Sequence, residues 1–261
     1  LAAQITRLPL SLGFDAAILF SDILVLSEVF GFTIDFIDGK GIQLLEPLKE
    51  IKKDTAETLS YVAEAIHLLK KDLAVPLIGF CGGPYTVSKY MKRTTIPWLE
   101  KITQASIEYL QMQIRAGVDV IQIFDSWAGT LEPPDFHHLA LPYLKTLVES
   151  VKNVPVIIFC RGSCRYVKEL VSLHPAAIGF DTEKEMQLLR KEVPPEIAIQ
   201  GNLDPAILKG PLDVLQQKAT ALLHSMKNVP GYIFNLGHGV EPETPVENVK
   251  WLIKYVKDQG F

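Results

Sequence analysis

The sequence contains little cysteine and has no excess of basic residues. It holds three cysteines in 261 residues, Cys81, Cys160 and Cys164, an odd and sparse set that is atypical of a secreted disulfide scaffold. The formal net charge is −4, so neither nucleic acid nor an anionic membrane is an expected partner. A small anionic substrate stays compatible with this charge, because a local cluster of donors can oppose the overall sign.

Long hydrophobic runs and a signal peptide are also missing. No apolar run approaches the ~18 residues of a membrane span, and no basic start leads into an apolar stretch. We therefore expect a cytoplasmic protein. The composition, 48% hydrophobic and 21% charged, is that of a folded globular chain. Leu1 falls inside a predicted helix, and we expect that the chain is not a complete translation product.

Seven short apolar runs predict buried strands with helical patterns between them. The runs are residues 16–20, 75–80, 118–124, 154–160, 177–180, 197–199 and 232–236. The predicted helices are residues 55–73, 97–116, 135–151, 164–173, 183–192, 212–226 and 245–257. The alternation of strand and helix predicts an α/β fold with a parallel sheet, in a single domain over residues 1–261.

Seven such strands fit either a doubly wound sheet or a TIM-type barrel. The residues that follow the first strand distinguish between the two architectures. A doubly wound sheet usually carries a glycine-rich turn after its first strand, whereas Phe20-Ser21-Asp22 has none. We therefore expect a (β/α)8 TIM-type barrel whose first strand precedes Leu1. Residues 30–40 alternate and end in Asp38-Gly39, which predicts a small hairpin off the barrel.

Helix boundaries are marked at several positions. Asp54 and Thr182 resemble N-terminal caps, and Pro211 suits a first helical turn. Gly117 follows its helix where a left-handed residue is favoured.

In a barrel the chemistry collects at the carboxyl ends of the strands. No lysine stands at those ends, which disfavours Schiff-base chemistry. Asp22 follows an apolar strand, where it is either a capping or buried acceptor or a carboxylate held in a cleft for ligand donors. His238 lies between Gly237 and Gly239, which favours a role in a site, while Ser126 lacks the surroundings of a hydrolase nucleophile.

The sequence offers no complete zinc site. Cys160 and Cys164 are spaced Cys-x3-Cys, but they lack the further partners of a four-ligand site. We interpret Cys160 as a small core residue. The histidines at 137, 138 and 174 fit a solvated surface better than a metal centre.

Several strand ends, taken with their flanks, resemble uroporphyrinogen decarboxylases. The matching stretches are residues 16–24 (AAILFSDIL), 77–86 (LIGFCGGPYT) with Tyr90-Met91 following, 122–129 (QIFDSWAG), 200–205 (QGNLDP) and 235–240 (NLGHGV). Five separated motifs in one order are far more specific than any one of them, and the likeness runs from Leu1 to the last helix.

The resemblance implies a function as well as a fold. It implies a (β/α)8 barrel and a homodimer without cofactor or metal, which removes carbon dioxide from the four acetate side chains of uroporphyrinogen to give coproporphyrinogen. Matched by motif, the substrate-contacting residues are Asp22, Tyr90, Ser126 and His238. The resemblance places Asp22 at the centre of the macrocycle, accepting hydrogen bonds from the pyrrole N–H groups.

The chain departs from the family's pattern in three places. The arginine-rich motif after the family's first strand is absent, and we expect at least two arginines in a segment before Leu1. Residues 92–95 join Met91 to the next helix through an unusually short connection, which we expect to reflect missing residues. Cys160-Arg161 replaces a loop that usually contains lysine, whose role Arg161 would take.

Two alternatives stay open. The related zinc-dependent cobamide or thiol methyltransferases share the fold, but they need a His-x-Cys where this chain has Ile158-Phe159-Cys160, and a later cysteine that it lacks. The other alternative is a non-catalytic tetrapyrrole-binding relative.

Overall fold

The seven predicted strands form one parallel sheet. The computed structural model describes residues 1–37, 41–47 and 51–261. Within them the sheet has the order β1-β4-β5-β6-β7-β8-β9, and every neighbouring pair is parallel. The strands are β1 (Ala17–Ile18), β4 (Leu77–Gly82), β5 (Val120–Phe124), β6 (Val156–Phe159), β7 (Ala177–Gly179), β8 (Ala198–Leu203) and β9 (Tyr232–Leu236).

The sheet curves in the manner of a TIM-type barrel. Residues that follow β4, β5, β6, β7 and β9 all border a single cleft, so the two halves of the sheet face each other. In the described part of the chain no ladder joins β9 to β1, and the ring is open at that place. The predicted α/β barrel class is confirmed, with seven strands in sequential order.

A two-stranded antiparallel hairpin stands apart from the sheet, as predicted. It consists of β2 (Thr33–Ile37) and β3 (Gly41–Leu45), and Thr33 pairs with Leu45 while Ile37 pairs with Gly41. The predicted turn at Asp38-Gly39 lies outside the described residues.

Helices connect the strands and cover the outside of the sheet. They are α1 (Ala2–Arg7), α2 (Thr55–Thr58), α3 (Ser60–Leu69), α4 (Pro84–Tyr90), α5 (Ile96–Ala116), α6 (Pro133–Leu139), α7 (Leu141–Ser150), α8 (Val167–Val171), α9 (Met186–Glu192), α10 (Leu212–Met226) and α11 (Val246–Asp258). None of these described helices has the length and apolarity needed to cross a membrane.

Two helices predicted as continuous are divided. The predicted helix over 135–151 breaks at Ala140 into α6 and α7, because Pro142 has no N–H to continue the ladder and instead begins a new first turn. The helix over 55–73 divides at Leu59, whose backbone leaves the helical region, and ends at Leu69.

The predicted helix boundaries are correct in part. Asp54 caps α2, with its carboxylate accepting a hydrogen bond from the Glu57 N–H at 2.7 Å, and Gly117 ends α5 in a left-handed conformation with φ of 111°. Pro211 is itself the N-cap of α10 and so lies one residue before the first turn. The predicted cap at Thr182 is wrong, since α9 begins at Met186.

A buried amide attaches helix α5 to the sheet. The side chain of Gln113 accepts a hydrogen bond from the Phe80 N–H at 2.9 Å and donates one to the Phe80 carbonyl at 2.8 Å. A side chain at Gly79 would collide with the same amide oxygen, so a glycine is required there. The helix is thereby held in register beneath β4, the strand that leads into α4.

Candidate active site

A cleft of about 910 Å³ opens at the carboxyl ends of the strands. The barrel fold places active sites at this end. The residues that line the cleft are Tyr90, Ser126, Trp127, Gly129, Thr130, Arg161, Gly162, Cys164, Arg165, Glu183, Lys184 and His238.

Three of the four predicted site residues meet in this cleft. Tyr90 is the last residue of α4, Ser126 is the second residue after β5, and His238 is the second residue after β9. Tyr90 and His238 are exposed, whereas Ser126 is half-buried. The parallel sheet thus brings His238 together with Tyr90 and Ser126, which lie more than a hundred residues earlier in the sequence.

Asp22 lies at the same end of the barrel but is not among the residues that line the cleft. It follows β1, and its neighbour Ile23 packs against Gly82 at the end of β4. The Oδ1 atom of Asp22 accepts a hydrogen bond from the Leu24 N–H at 2.7 Å. Burial raises the pKa of Asp22, and this hydrogen bond partly offsets the effect.

Beneath the cleft lies a buried carboxylate that the sequence did not single out. Asp125 is fully buried, and its Oδ1 accepts hydrogen bonds from the Thr86 N–H at 2.9 Å and from the Thr86 hydroxyl at 2.5 Å. Burial raises the pKa of Asp125 to about 6, against the lowering effect of these two hydrogen bonds. The Oδ2 atom has no hydrogen-bond partner among the described residues.

Trp127 presents an aromatic ring to the cleft beside Tyr90. The two rings make an edge-to-face contact, with centroids 6.3 Å apart and an angle of 79° between their planes. The backbone N–H of Trp127 donates to the hydroxyl of Thr86 at 3.0 Å, and the backbone carbonyl of Trp127 accepts from the hydroxyl of Thr130 at 2.7 Å. Sequence reasoning missed Trp127, although its position directly after Ser126 was an available signal.

The cleft carries more positive charge than the sequence indicated. Among the residues that closely follow the strands, Arg161 and His238 are the groups able to carry positive charge, but Arg165 and Lys184 line the cleft as well. Arg165 donates to the Leu131 carbonyl and contacts Glu132, while Lys184 pairs with Glu192. Glu183 lines the cleft too, so three arginine and lysine side chains and one carboxylate border it in a chain whose formal net charge is −4.

Close backbone packing holds the loop that carries Arg161. A side chain at Gly129 would overlap the carbonyl oxygen of Arg161, so only glycine fits there. Gly162 adopts a left-handed conformation with φ of 71°, and its N–H donates to the buried carboxylate of Asp181 at 2.5 Å. These contacts restrict where the Arg161 side chain emerges.

The same carboxylate explains why the predicted start of helix α9 is wrong. Asp181 also accepts a hydrogen bond from the Glu183 N–H at 3.2 Å, and the side chain of Asn202 donates to the Lys184 carbonyl at 2.7 Å. One local and one tertiary hydrogen bond therefore hold residues 182–185 as a loop, and α9 begins only at Met186.

One group of potential metal ligands occurs in the described part of the chain, namely Cys164, Asp181 and Glu183, whose ligand atoms lie within 4.8 Å of one another. The Cys164 thiol contacts Asp181 at 3.8 Å, and its pKa is raised to about 12, first by burial and then by the charges of Asp181 and Glu183. The carboxylate of Asp181 already accepts hydrogen bonds from the Gly162 and Glu183 N–H groups, which explains why it lies close to Cys164 and Glu183. The cluster contains no imidazole.

The other candidate metal ligands are placed as predicted. Cys160 is fully buried in the core, and His137, His138 and His174 are exposed on helices or at their ends. His137 pairs with Glu169 at 3.0 Å rather than with another histidine.

Comparison with known families decides what the chain is related to. The family model described as Uroporphyrinogen decarboxylase (URO-D) matches residues 1–259. The chain belongs to the uroporphyrinogen decarboxylase family. Curated relatives include the uroporphyrinogen decarboxylases of Protochlamydia amoebophila, 40% identical over 99% of this chain and 79% of that protein, and of Desulfotalea psychrophila, 38% identical over 99% and 84%.

Solved structures support the fold of this uroporphyrinogen decarboxylase family member. A methyltransferase from Methanosarcina mazei superposes with a TM-score of 0.83 over 98% of this chain and 84% of its own, at 23% identity. At that identity the likeness concerns the barrel fold alone.

Proposed function

We propose that this chain decarboxylates the four acetate side chains of uroporphyrinogen to give coproporphyrinogen, without a cofactor or a metal. Membership in the uroporphyrinogen decarboxylase family supports the reaction. The observation that carries the proposal is the convergence of Tyr90, Ser126 and His238, from three separated stretches, in one cleft that also holds Arg161.

The size and charge of the cleft suit this substrate. Small-molecule pockets usually have volumes of ~300–1,000 Å³, and a cleft of about 910 Å³ lies near the top of that range, as a tetrapyrrole requires. Uroporphyrinogen carries eight carboxylates, which need cationic or hydrogen-bonding partners when they leave water. Arg161, Arg165 and Lys184 provide positive charge at the cleft, and substrate carboxylates would compete with Glu132 and Glu192 for the last two.

Tyr90, Ser126 and His238 bind the carboxylate arms in this proposal. The phenol and the hydroxyl donate hydrogen bonds to carboxylate oxygens, and the imidazole adds charge when it is protonated. Their spread around the cleft suits a ligand whose carboxylates point outward in several directions.

Asp22 accepts hydrogen bonds from the pyrrole N–H groups. Four convergent donors suit one carboxylate, and the same negative charge stabilises the cationic ring that forms when a pyrrole is protonated at carbon. The Leu24 N–H fixes one oxygen of Asp22, and the second oxygen is the acceptor offered to the substrate. Substrate must then reach Asp22 from the neighbouring cleft.

The reaction needs no external electron acceptor. Protonation of a pyrrole carbon turns the ring into an electron sink, so the bond between the acetate methylene and its carboxylate breaks and carbon dioxide leaves. The released electron pair forms a double bond between the methylene and the ring, which neutralises the ring. The methylene carbon then takes up a proton to become a methyl group, and the ring carbon loses the proton it gained, which restores the pyrrole. One proton is consumed for each carbon dioxide released, which explains how ordinary side chains suffice.

An anaerobic assay with uroporphyrinogen tests this proposal. We expect coproporphyrinogen and four equivalents of carbon dioxide, with unchanged turnover after exhaustive chelation. Loss of activity with chelator and its recovery with zinc would indicate a methyltransferase-type site instead. Binding of the tetrapyrrole without turnover would indicate a non-catalytic relative.

We further infer that the protein acts in the cytoplasm as a homodimer. The family resemblance supports both inferences. Analytical ultracentrifugation is expected to give twice the mass of the chain, and cell fractionation is expected to recover the protein with cytoplasmic enzymes. A monomer at micromolar concentration, or recovery with membranes, would contradict the respective inference.

A further inference from the structure

Trp127 and Tyr90 form an exposed aromatic surface within the cleft. The Trp127 residue is 43% exposed and Tyr90 is 41% exposed, although both carry large apolar rings. Exposed aromatic groups that lie next to each other in a concave site are typical of ligand contacts, since their apolar surface gains from being covered. Their edge-to-face contact keeps the two rings together.

The backbone under Trp127 is fixed by buried polar groups. The hydroxyl of Thr86 accepts the Trp127 N–H at 3.0 Å and donates to Asp125 at 2.5 Å, and both of these supporting residues are fully buried. Thr86 also belongs to α4, the helix that ends at Tyr90. One buried threonine therefore holds both aromatic residues in relation to each other.

We propose that Trp127 is a substrate-binding residue whose indole ring packs against a pyrrole ring of the tetrapyrrole, with Thr86 as its positioning residue. This inference rests on the proposed function, because it assigns a further contact to the same substrate. This inference concerns the apolar faces of the pyrrole rings. The carboxylate arms are contacted by the hydroxyl groups of Tyr90 and Ser126 and by the imidazole of His238.

The chemistry of a porphyrinogen fits a small aromatic surface. Its four pyrroles are joined by saturated carbons, so the macrocycle is not one flat ring and each pyrrole can tilt separately. A pair of side chains with the area of Trp127 and Tyr90 matches one such ring. The electron-rich face of indole also attracts a pyrrole that has become cationic by protonation.

The test compares loss of the aromatic ring with its conservative replacement. In the full chain we would measure kcat and KM for uroporphyrinogen with Trp127→Leu and Trp127→Phe. Trp251→Leu is the matched control, since Trp251 stacks on Tyr255 on helix α11 and does not line the cleft. Circular dichroism and thermal unfolding establish that each variant is folded.

We expect Trp127→Leu to raise KM at least about fivefold with a smaller change in kcat, because removing an aromatic side chain that stacks on a nucleic-acid base costs ~5- to 150-fold in affinity. Trp127→Phe keeps an aromatic ring and is expected to raise KM less than Trp127→Leu does, while Trp251→Leu is expected to stay within about twofold of the unmodified protein. A smaller effect of Trp127→Leu, or equal losses in the leucine and phenylalanine variants, overturns the proposal.

Thr86 is tested by a rescue experiment. Thr86→Val removes the hydroxyl that accepts the Trp127 N–H, while Thr86→Ser retains it. We expect the valine variant to raise KM more than it lowers kcat, and the serine variant to restore KM. Equal stability losses in both variants without this difference in KM would contradict a positioning role.

Binding of coproporphyrinogen, measured anaerobically by equilibrium dialysis, separates failure of this inference from failure of the proposed function. If the unmodified protein binds coproporphyrinogen but does not decarboxylate uroporphyrinogen, the proposed function is wrong. The ratio of dissociation constants for Trp127→Leu and Trp127→Phe then still decides the inference. If the protein neither binds nor decarboxylates, both proposals are overturned.

Discussion

The hydroxyl oxygen of Thr86 lies 2.5 Å from Oδ1 of Asp125, and neither residue has measurable exposure to solvent. This contact joins the start of helix α4, which ends at Tyr90, to the segment after strand β5 that contains Ser126. Two segments of the cleft, far apart in sequence, are thus connected by a buried charge-assisted hydrogen bond. The ionisation of Asp125 is consequently expected to affect the stability of the fold and the relative position of these two segments of the cleft.

Replacing Asp125 with asparagine is expected to change how stability depends on pH. The pKa of Asp125 rises from its ordinary value of 3.8 to about 6 on folding. The folded state therefore binds more protons than the unfolded state between these values, so stability from this group is present below about pH 4 and is lost as pH rises through 6. Two pKa units correspond to about 3 kcal/mol.

We therefore expect the free energy of unfolding of Asp125→Asn, relative to the unmodified protein, to rise by about 2 kcal/mol between pH 4 and pH 7.5, where most of this effect falls. Urea denaturation at several pH values measures this difference. Thr103→Val is a suitable control, since Thr103 is buried, does not titrate and bonds to Leu99 in its own helix. A pH-independent difference for Asp125→Asn would show that the carboxyl does not titrate in this window.

Gly129 is a position where a single added carbon atom is expected to destabilise the fold. We expect Gly129→Ala to destabilise the protein by about 3 kcal/mol, because the new methyl group would displace the Arg161 carbonyl. Gly239→Ala is the matched control, as an added Cβ at Gly239 meets nothing within 4 Å. Thermal unfolding compares the two variants. Equal melting temperatures for the two variants would mean that the backbone at Arg161 can shift to accept the methyl group without loss of stability.

Much of the fold was predictable from the sequence because it depends on local patterns. Buried parallel strands appear as continuous apolar runs, and the strand β9 was predicted with its observed limits, Tyr232–Leu236. The cap at Asp54 and the helix end at Gly117 also follow from residue type. The start of α9 did not follow, because Asp181, which also accepts the distant Gly162 N–H, bonds to Glu183, and the distant Asn202 bonds to the Lys184 carbonyl.

The site was predictable to the extent that its residues stand at strand ends. Ser126 and His238 directly follow strands, so their convergence follows from a parallel barrel, and the family motif added Tyr90. Arg165 and Lys184 were missed because they lie further along their loops, where no strand boundary marks them. The burial of Asp125 depends on packing between β4, β5 and β6, which no single stretch of sequence reveals.

His238 is expected to contribute to substrate binding. Removing a hydrogen bond to a charged group usually costs ~1.5–3 kcal/mol, so His238→Ala should raise KM for uroporphyrinogen by about tenfold or more. His137→Ala provides the control, because His137 is an exposed histidine that pairs with Glu169 and does not line the cleft. Steady-state kinetics measure both. An unchanged KM for His238→Ala would remove it from the site.

Asp22 offers the sharpest choice between a structural and a functional role. Asparagine retains the oxygen that accepts the Leu24 N–H, so Asp22→Asn preserves the local turn while it removes the negative charge. Loss of electrostatic stabilisation of the protonated pyrrole is expected to cost about 3 kcal/mol, or ~100-fold in kcat. If turnover stays near normal while the fold is intact, the carboxylate serves only to hold the chain after β1. A loss of ~100-fold with an unchanged melting temperature would instead place its charge in the reaction, even though the residue lies beside the cleft rather than on its lining.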